Sequence, residues 1–384
     1  MKHVILAASA ALLAANAFAE PVKVGMITTL STPAGYLGDD IRRGMELAIE
    51  ERGKDIIDLV VEDDGFKPEN AKQIADRMTE RDGIKIMTGI VFSNVAMAVV
   101  PKVVRNGVIY VSPNAGPSAL AGKGCQPNYF NAAWQNDNLH EAMGKFVKDK
   151  GAKNVYILAP NYPAGKDALA GFKRFYNGGT SEGLAAEIYT KLGQTDYAAE
   201  LAKIRAADPD AVFFFLPGGM GINFLKQYAQ AGLAKKIPLY GPAFSFDDTF
   251  LDAVGDAAIG AFNTSQWSPD LDNAANTAFV AAYKAKYDKY PTLYASQGYD
   301  TGNLLISAIL AAGGDNDPAK LRAELMKADF ASVRGNFRFG PNRHPIQDIY
   351  VRETYKDGSG NITNRLVGKV FEDHADAYAG ECKG

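Results

Sequence analysis

The groups in this sequence that could do covalent or metal chemistry are few and scattered. Past residue 20 there are three histidines, His140, His344 and His374, each in polar sequence surroundings. No His-Glu-x-x-His, Cys-x-x-Cys or Gly-x-Ser-x-Gly arrangement occurs, so the spacings of a zinc hydrolase, a dithiol and a serine nucleophile are all missing. Surface or structural histidines are the expectation. Glu62, Asp63 and Asp64 bunch after an apolar run, but further carboxylates at calcium-loop spacing do not follow. A solvated strand end leading into a helix explains them better than a metal loop. "VFFFLPGGMGINFL" has the order strand, glycines, helix start. A dinucleotide fingerprint begun at Gly219 would need its third glycine where Phe224 stands, and no P-loop Gly-Lys-Ser/Thr occurs. These glycines are expected to let a ligand or a second domain approach the backbone. Catalytic residues, a metal and a cofactor are therefore not expected.

What remains is binding chemistry, carried by hydroxyl, amide and aromatic side chains that each follow an apolar run. Tyr36 follows the first run, Phe92, Ser93 and Asn94 the third, and "SPNAGPS" the fourth, with Asn114, Ala115 and Gly116. Later, "APNYPAG" carries Tyr162, and Ala243-Phe244-Ser245-Phe246 follows "IPLYGP". Ser93 is expected to cap a helix, whose free N–H groups and dipole favour an anion such as a carboxylate.

The elements that must hold these loops alternate regularly. "VKVGMITTL", "IIDLVVEDD", "IKIMTGIVF" and "VIYVSPNAG" read as buried strands, separated by periodic helices such as Asp39–Glu51. After "PNYFNAAWQNDN" the alternation restarts and runs through "NVYILAP", "AAEIYTKLG", "DAVFFFLPGG" and "IPLYGP". Helical segments at Asn273–Tyr290 and Ser296–Ala312 follow, and the end reads as antiparallel strands around a Gly-Ser-Gly turn. The fold class is α/β, with two doubly wound, Rossmann-like domains. Ligands in such sheets bind beyond the carboxyl ends of the strands, so the cleft between the two domains is the expected site.

The chain opens with Lys2, a short apolar run and Ala17-Phe18-Ala19, the pattern of a secretory leader cut after Ala19. The expected mature protein is exported and unanchored, which suggests a periplasm. Without Lys2, 40 Lys and Arg stand against 44 Asp and Glu with no basic run, which argues against a nucleic-acid partner. Cys125 and Cys382 are the two cysteines. They either stay free or, as an oxidising compartment favours, form one bridge that constrains the unfolded chain by roughly 4–5 kcal/mol.

"VGMITTLSTPAGYLGDDIRRGMELAIEE", "VSPNAGPSALAG", "DYAAELAKIRAADPDAVFF", "FLKQYAQAGL…IPLYGP" and "YASQGYDTGNLL" together resemble the branched-chain amino acid type of periplasmic solute-binding proteins. These are type I receptors that feed ATP-driven importers. The resemblance implies a leader at 1–19, a first lobe of 20–135 plus 268–346, a second lobe of 136–267 plus 347–384, and a multi-crossing hinge. It also implies a monomer that delivers its ligand to the membrane permease of an ABC importer, without catalysis. By the same resemblance the ligand carboxylate falls on Ser93 and the Asn114, Ala115, Gly116 loop, with Gly116 standing where amino-acid binders carry a threonine. Tyr36 forms an aromatic wall and Tyr299 another contact, while family tyrosines map near Ala164, beside Tyr162, and near Pro217. Amino-acid binders place a glutamate at the turn after "LYGP" to pair with the α-ammonium; this chain has Ala243. Asp247 and Asp248 are expected to cap a helix. With Phe92, Phe244, Trp134 and Trp267 adding π surface, the expected ligand is a small carboxylate without an ammonium, an aromatic acid of benzoate type. The alternatives are a branched-chain amino acid receptor, an amide or urea receptor, and a ligand sensor for a membrane kinase.

Overall fold

A computed structural model describes residues 20–383; the leader expected at Met1–Ala19 lies outside them. The first sheet holds β1 (Val22–Thr28), β2 (Ile57–Asp63), β3 (Ile86–Thr88), β4 (Ile109–Ser112) and β5 (Tyr129–Asn131). All pair parallel in the order β2-β1-β3-β4-β5. Six of the seven residues of β1 are buried, as expected of a parallel strand covered on both faces. Its helices are α1 (Gly35–Ala48), α2 (Pro68–Asp76) and α3 (Ser93–Arg105). β5 lies inside the polar stretch "PNYFNAAWQNDN", where three residues are too few to show a period.

The second unit runs α4 (Asn138–Asp149), β6 (Val155–Pro160), α5 (Pro163–Tyr176), β7 (Leu184–Thr190) and α6 (Ala198–Ala207). It continues through β8 (Ala211–Phe214), α7 (Gly219–Gln230), β9 (Leu239–Pro242), α8 (Asp248–Val254) and β10 (Phe262–Ser265). Then come α9 (Ala274–Tyr287), α10 (Leu293–Ala311), α11 (Pro318–Lys327), β11 (Phe337–Phe339), β12 (Pro345–Lys356) and β13 (Ile362–His374). The second sheet is ordered β11-β12-β10-β9-β8-β6-β7, with β13 on β12. β10 and α11 carried no clear sequence signal, β10 being only four residues long.

α10 packs along α1, and α11 lies beside β4, so both return to the first sheet. The α1–α10 contact is unusually close. A Cβ on Gly44 would fall 1.9 Å from the Ala295 carbonyl oxygen, and one on Gly298 would fall 2.0 Å from that of Ile41. Only glycine fits at these two crossing points. The chain thus passes between the sheets three times, at 132–137, 266–273 and 328–336. The last passage corrects one boundary. β11 pairs antiparallel with β12 in the second sheet, so the return occurs before residue 337 and not at 346, because the strand joins by backbone hydrogen bonds. Cys125 and Cys382 are bridged, with Cα atoms 5.6 Å apart across a sequence separation of 257. Among the described residues, no helix is long and apolar enough to cross a membrane.

Candidate functional site

The loops at the carboxyl ends of the strands close around one interlobe cavity, the expected place for a ligand in paired α/β domains. Its first-lobe wall begins at the acidic strand end. Asp64 accepts from the Thr29 hydroxyl at 2.7 Å and from the Phe66 N–H at 2.7 Å. Asp63 accepts from the N–H groups of Leu30 and Gly65. These acids latch loops and do not form a metal cradle; among the described residues no group of three or more His, Cys, Asp or Glu is arranged to hold a metal. The latch holds Phe66 at φ 61°, with its ring 4.0 Å from that of Phe92. Phe92 lines the cavity.

Ser93 also lines it, in a different role from the cap expected of it. Phe92 occupies the N-cap position with extended backbone, and Ser93 is the first helical residue, without a side-chain cap bond. Its hydroxyl instead accepts from Asn136 Nδ2 at 3.1 Å, which leaves its own proton free for a ligand. Asn136 was not singled out in the sequence, yet it is the hub of the site. The same Nδ2 donates to Asp167 Oδ2 at 2.8 Å on α5, and its Oδ1 accepts from Gly116 N–H at 3.1 Å. One amide therefore joins the first-lobe helix α3, the fourth-strand loop and the second lobe. Asn114 donates to the Val91 carbonyl at 2.6 Å, and its Oδ1 is buried without a partner. Ala115 completes this wall.

On the other side lie Trp134, Tyr162, Ala164, Pro217 and Phe244, all of which line the cavity. Trp134 and Phe244 pack with ring centres 4.1 Å apart, and Tyr162 stacks over Phe215 at 6.3 Å. Burial raises the Tyr162 phenol well beyond its ordinary pKa, with Asp167 adding to the effect. Every cavity-lining side chain is neutral apart from the ionisable imidazole of His140, and that imidazole is uncharged at neutral pH because burial lowers its pKa to about 3. Among the described residues, no Lys, Arg, Asp or Glu lines the space.

Several expected contacts lie elsewhere. Tyr36 does not line the cavity; its buried hydroxyl has no partner, and Asp247 and Asp40 lie near enough to raise its pKa further after burial. Leu37, one residue along α1, takes the place by the cavity. Tyr299 packs on Phe279 and donates to Glu51 Oε2 at 2.7 Å. Tyr294 lines the cavity instead, because only the first turn of α10 reaches the cleft. Trp267 is core, with its indole N–H on Asn276 Oδ1 at 2.7 Å. Gly116 is set back from the cavity, and a Cβ there would meet the Trp134 carbonyl oxygen at 2.1 Å. Its smallness serves that contact, so no hydroxyl could simply be restored there. Ala243 is fully buried in a short 3-10 turn and is also off the lining; Phe244 beside it forms the wall. Asp247 caps α8, accepting from Phe250 N–H at 3.1 Å, as its position suggested. His140 has no polar surroundings. It is 1% exposed and lines the cavity among Phe213, Phe215 and Phe244. The glycine turn after β8 lies against Ala34 and Leu37 of the opposite lobe, the close approach its sequence implied.

The chain matches the family described as periplasmic binding protein over residues 21–359. It is similar to the Leu/Ile/Val-binding protein homolog 6 of Brucella melitensis, 29% identical across 98% of each chain. It is also similar to a solute-binding protein of an ABC transporter from R. palustris in complex with benzoate. That structure has a TM-score of 0.87 and 33% identity, over 94% of this chain and 99% of the other. A solute-binding protein from Rhodopseudomonas palustris BisB5, in complex with 3,4-dihydroxy benzoic acid, gives a TM-score of 0.85 and 30% identity, over 93% and 99%.

Proposed function

The chain belongs to the periplasmic binding protein family, and on that premise we propose that it captures a small aromatic carboxylate in the periplasm for the permease of an ABC importer. The observation that carries this reading is the cavity's inventory: flat rings on several sides, hydroxyl and amide groups between them, and no charged lining residue. An α-ammonium enclosed here would be a buried charge without a counter-ion. Asp247 is absent from the lining and engaged as a helix cap, and Asp167, which accepts from Asn136, does not line the cavity either. A carboxylate, by contrast, finds the Ser93 hydroxyl and the N-terminus of α3, a helix of 13 residues. Rings of Phe92, Trp134, Tyr162, Phe215 and Phe244 then offer stacking and edge contacts that an aliphatic side chain would use poorly. The lobes, taken as 20–131 with 274–327 and as 138–265 with 337–383, would close over the ligand and present the surface that a permease reads. We take the receptor to act as a monomer. Calorimetry of the purified, unfolded-and-refolded protein tests the reading. Benzoates should bind in the micromolar range or tighter and leucine should not; tight leucine binding without any benzoate response overturns it.

A further inference from the structure

One cavity group has no role in that reading. Among the described residues, Nδ1 of His140 is buried without a hydrogen-bond partner. Three phenylalanine rings surround it edge-on, Phe215 at 5.0 Å, Phe213 at 5.8 Å and Phe244 at 6.1 Å. A bare imidazole in such a nest is costly unless something in the cavity bonds it. Burial keeps the ring neutral, and no charged neighbour contributes to its shift. A neutral imidazole carries one N–H donor and one acceptor nitrogen, and a hydroxyl can complement either. A carboxylate only accepts, so it suits Ser93 better than this ring.

Position agrees with chemistry. Ser93 bonds Asn136 in the turn that precedes α4, His140 sits in the first turn of α4, and both Ser93 and His140 line the same cavity. A ligand whose carboxylate sits at Ser93 therefore shares the cavity with His140.

We propose that His140 reads a hydroxyl on the far side of the ligand's ring, so that the preferred cargo is a phenolic acid, a hydroxybenzoate, and not the bare benzoate. The proposal rests on the aromatic-carboxylate reading of the site. The test is calorimetric titration of the wild type, His140→Phe and His140→Gln with benzoate, 3-hydroxybenzoate, 4-hydroxybenzoate and leucine. The wild type should bind at least one hydroxybenzoate about tenfold or more tighter than benzoate, the worth of one buried hydrogen bond. His140→Phe should collapse that ratio, and His140→Gln, which can still donate and accept, should keep part of it. Benzoate binding with no gain from either hydroxyl, or an unchanged ratio in His140→Phe, overturns the proposal and leaves the aromatic-carboxylate reading standing. Binding of leucine alone overturns both. The wild-type ratio decides the matter even if a variant fails to fold.

Discussion

Arg334 and His140 are buried to nearly the same degree, at 2% and 1% exposure, yet one is fully partnered and the other is bare. Arg334 lies in the third passage between the sheets. Its Nε donates to Asp300 Oδ2 at 2.8 Å, and its terminal nitrogens reach Gln347 Oε1 and the carbonyls of Ala132 and Ala133 at 2.7–3.0 Å. That one side chain ties the first passage, α10 and β12 together. A charge buried and partnered in this way holds a structure in place. His140 and Asn114 Oδ1 lack such partners and stand where there is space. Space decides the reading, since Gln297 has both amide atoms bare but does not line the cavity.

The largest effect should come from breaking the partnered cluster. Arg334→Met strands Asp300 in the interior and should cost about 3–5 kcal/mol in urea unfolding of the ligand-free protein; a loss below about 1 kcal/mol would mean that the partnered arginine does not hold the structure in place. Ala243→Glu comes next. Because Ala243 is fully buried and off the cavity wall, a carboxylate there should lower stability by about 2–4 kcal/mol without creating leucine affinity, seen by thermal melting and titration together. Ser93→Ala should act in the other direction, sparing stability while weakening the aromatic acid by roughly tenfold or more. Equal losses in stability and affinity would make Ser93 structural, like Arg334. The smallest effect tests an intermediate case. Asp247 caps α8 through one oxygen and leaves the other bare; burial, then Asp40, push its carboxyl well above the ordinary range. A raised carboxyl pKa means that the folded state pays for ionisation above about pH 4. Asp247→Asn keeps the cap, so its melting point should exceed the wild type's by a few degrees at pH 8, and the gain should vanish near pH 4.

The sheets were legible in the sequence because a parallel strand buried on both faces is a continuous apolar run, as in "VKVGMIT" and "AVFFFL". β5 was not, being three residues in a polar stretch. The same logic divides the site. Phe92, Ser93, Tyr162 and Phe244 follow strands directly, so topology alone aims them at the cleft. His140 and Tyr294 sit in the first turns of helices, and which face of a helix meets another lobe depends on packing that no local pattern records. Tyr299 shows this, since it is about 1.4 turns past Tyr294 and lies against α1. Gly116 misled differently. An absent side chain looks like a lost contact until the Trp134 carbonyl is seen filling its place.

The bridge between Cys125 and Cys382 joins the loop before β5, in the first sheet, to the tail that follows β13 in the second. Three chain passages already link the two halves, and the bridge adds a covalent fourth. Sliding or unscrewing one half against the other would have to stretch several of these ties at once. The molecule is built like a book whose spine has been stapled. Its covers cannot be shuffled.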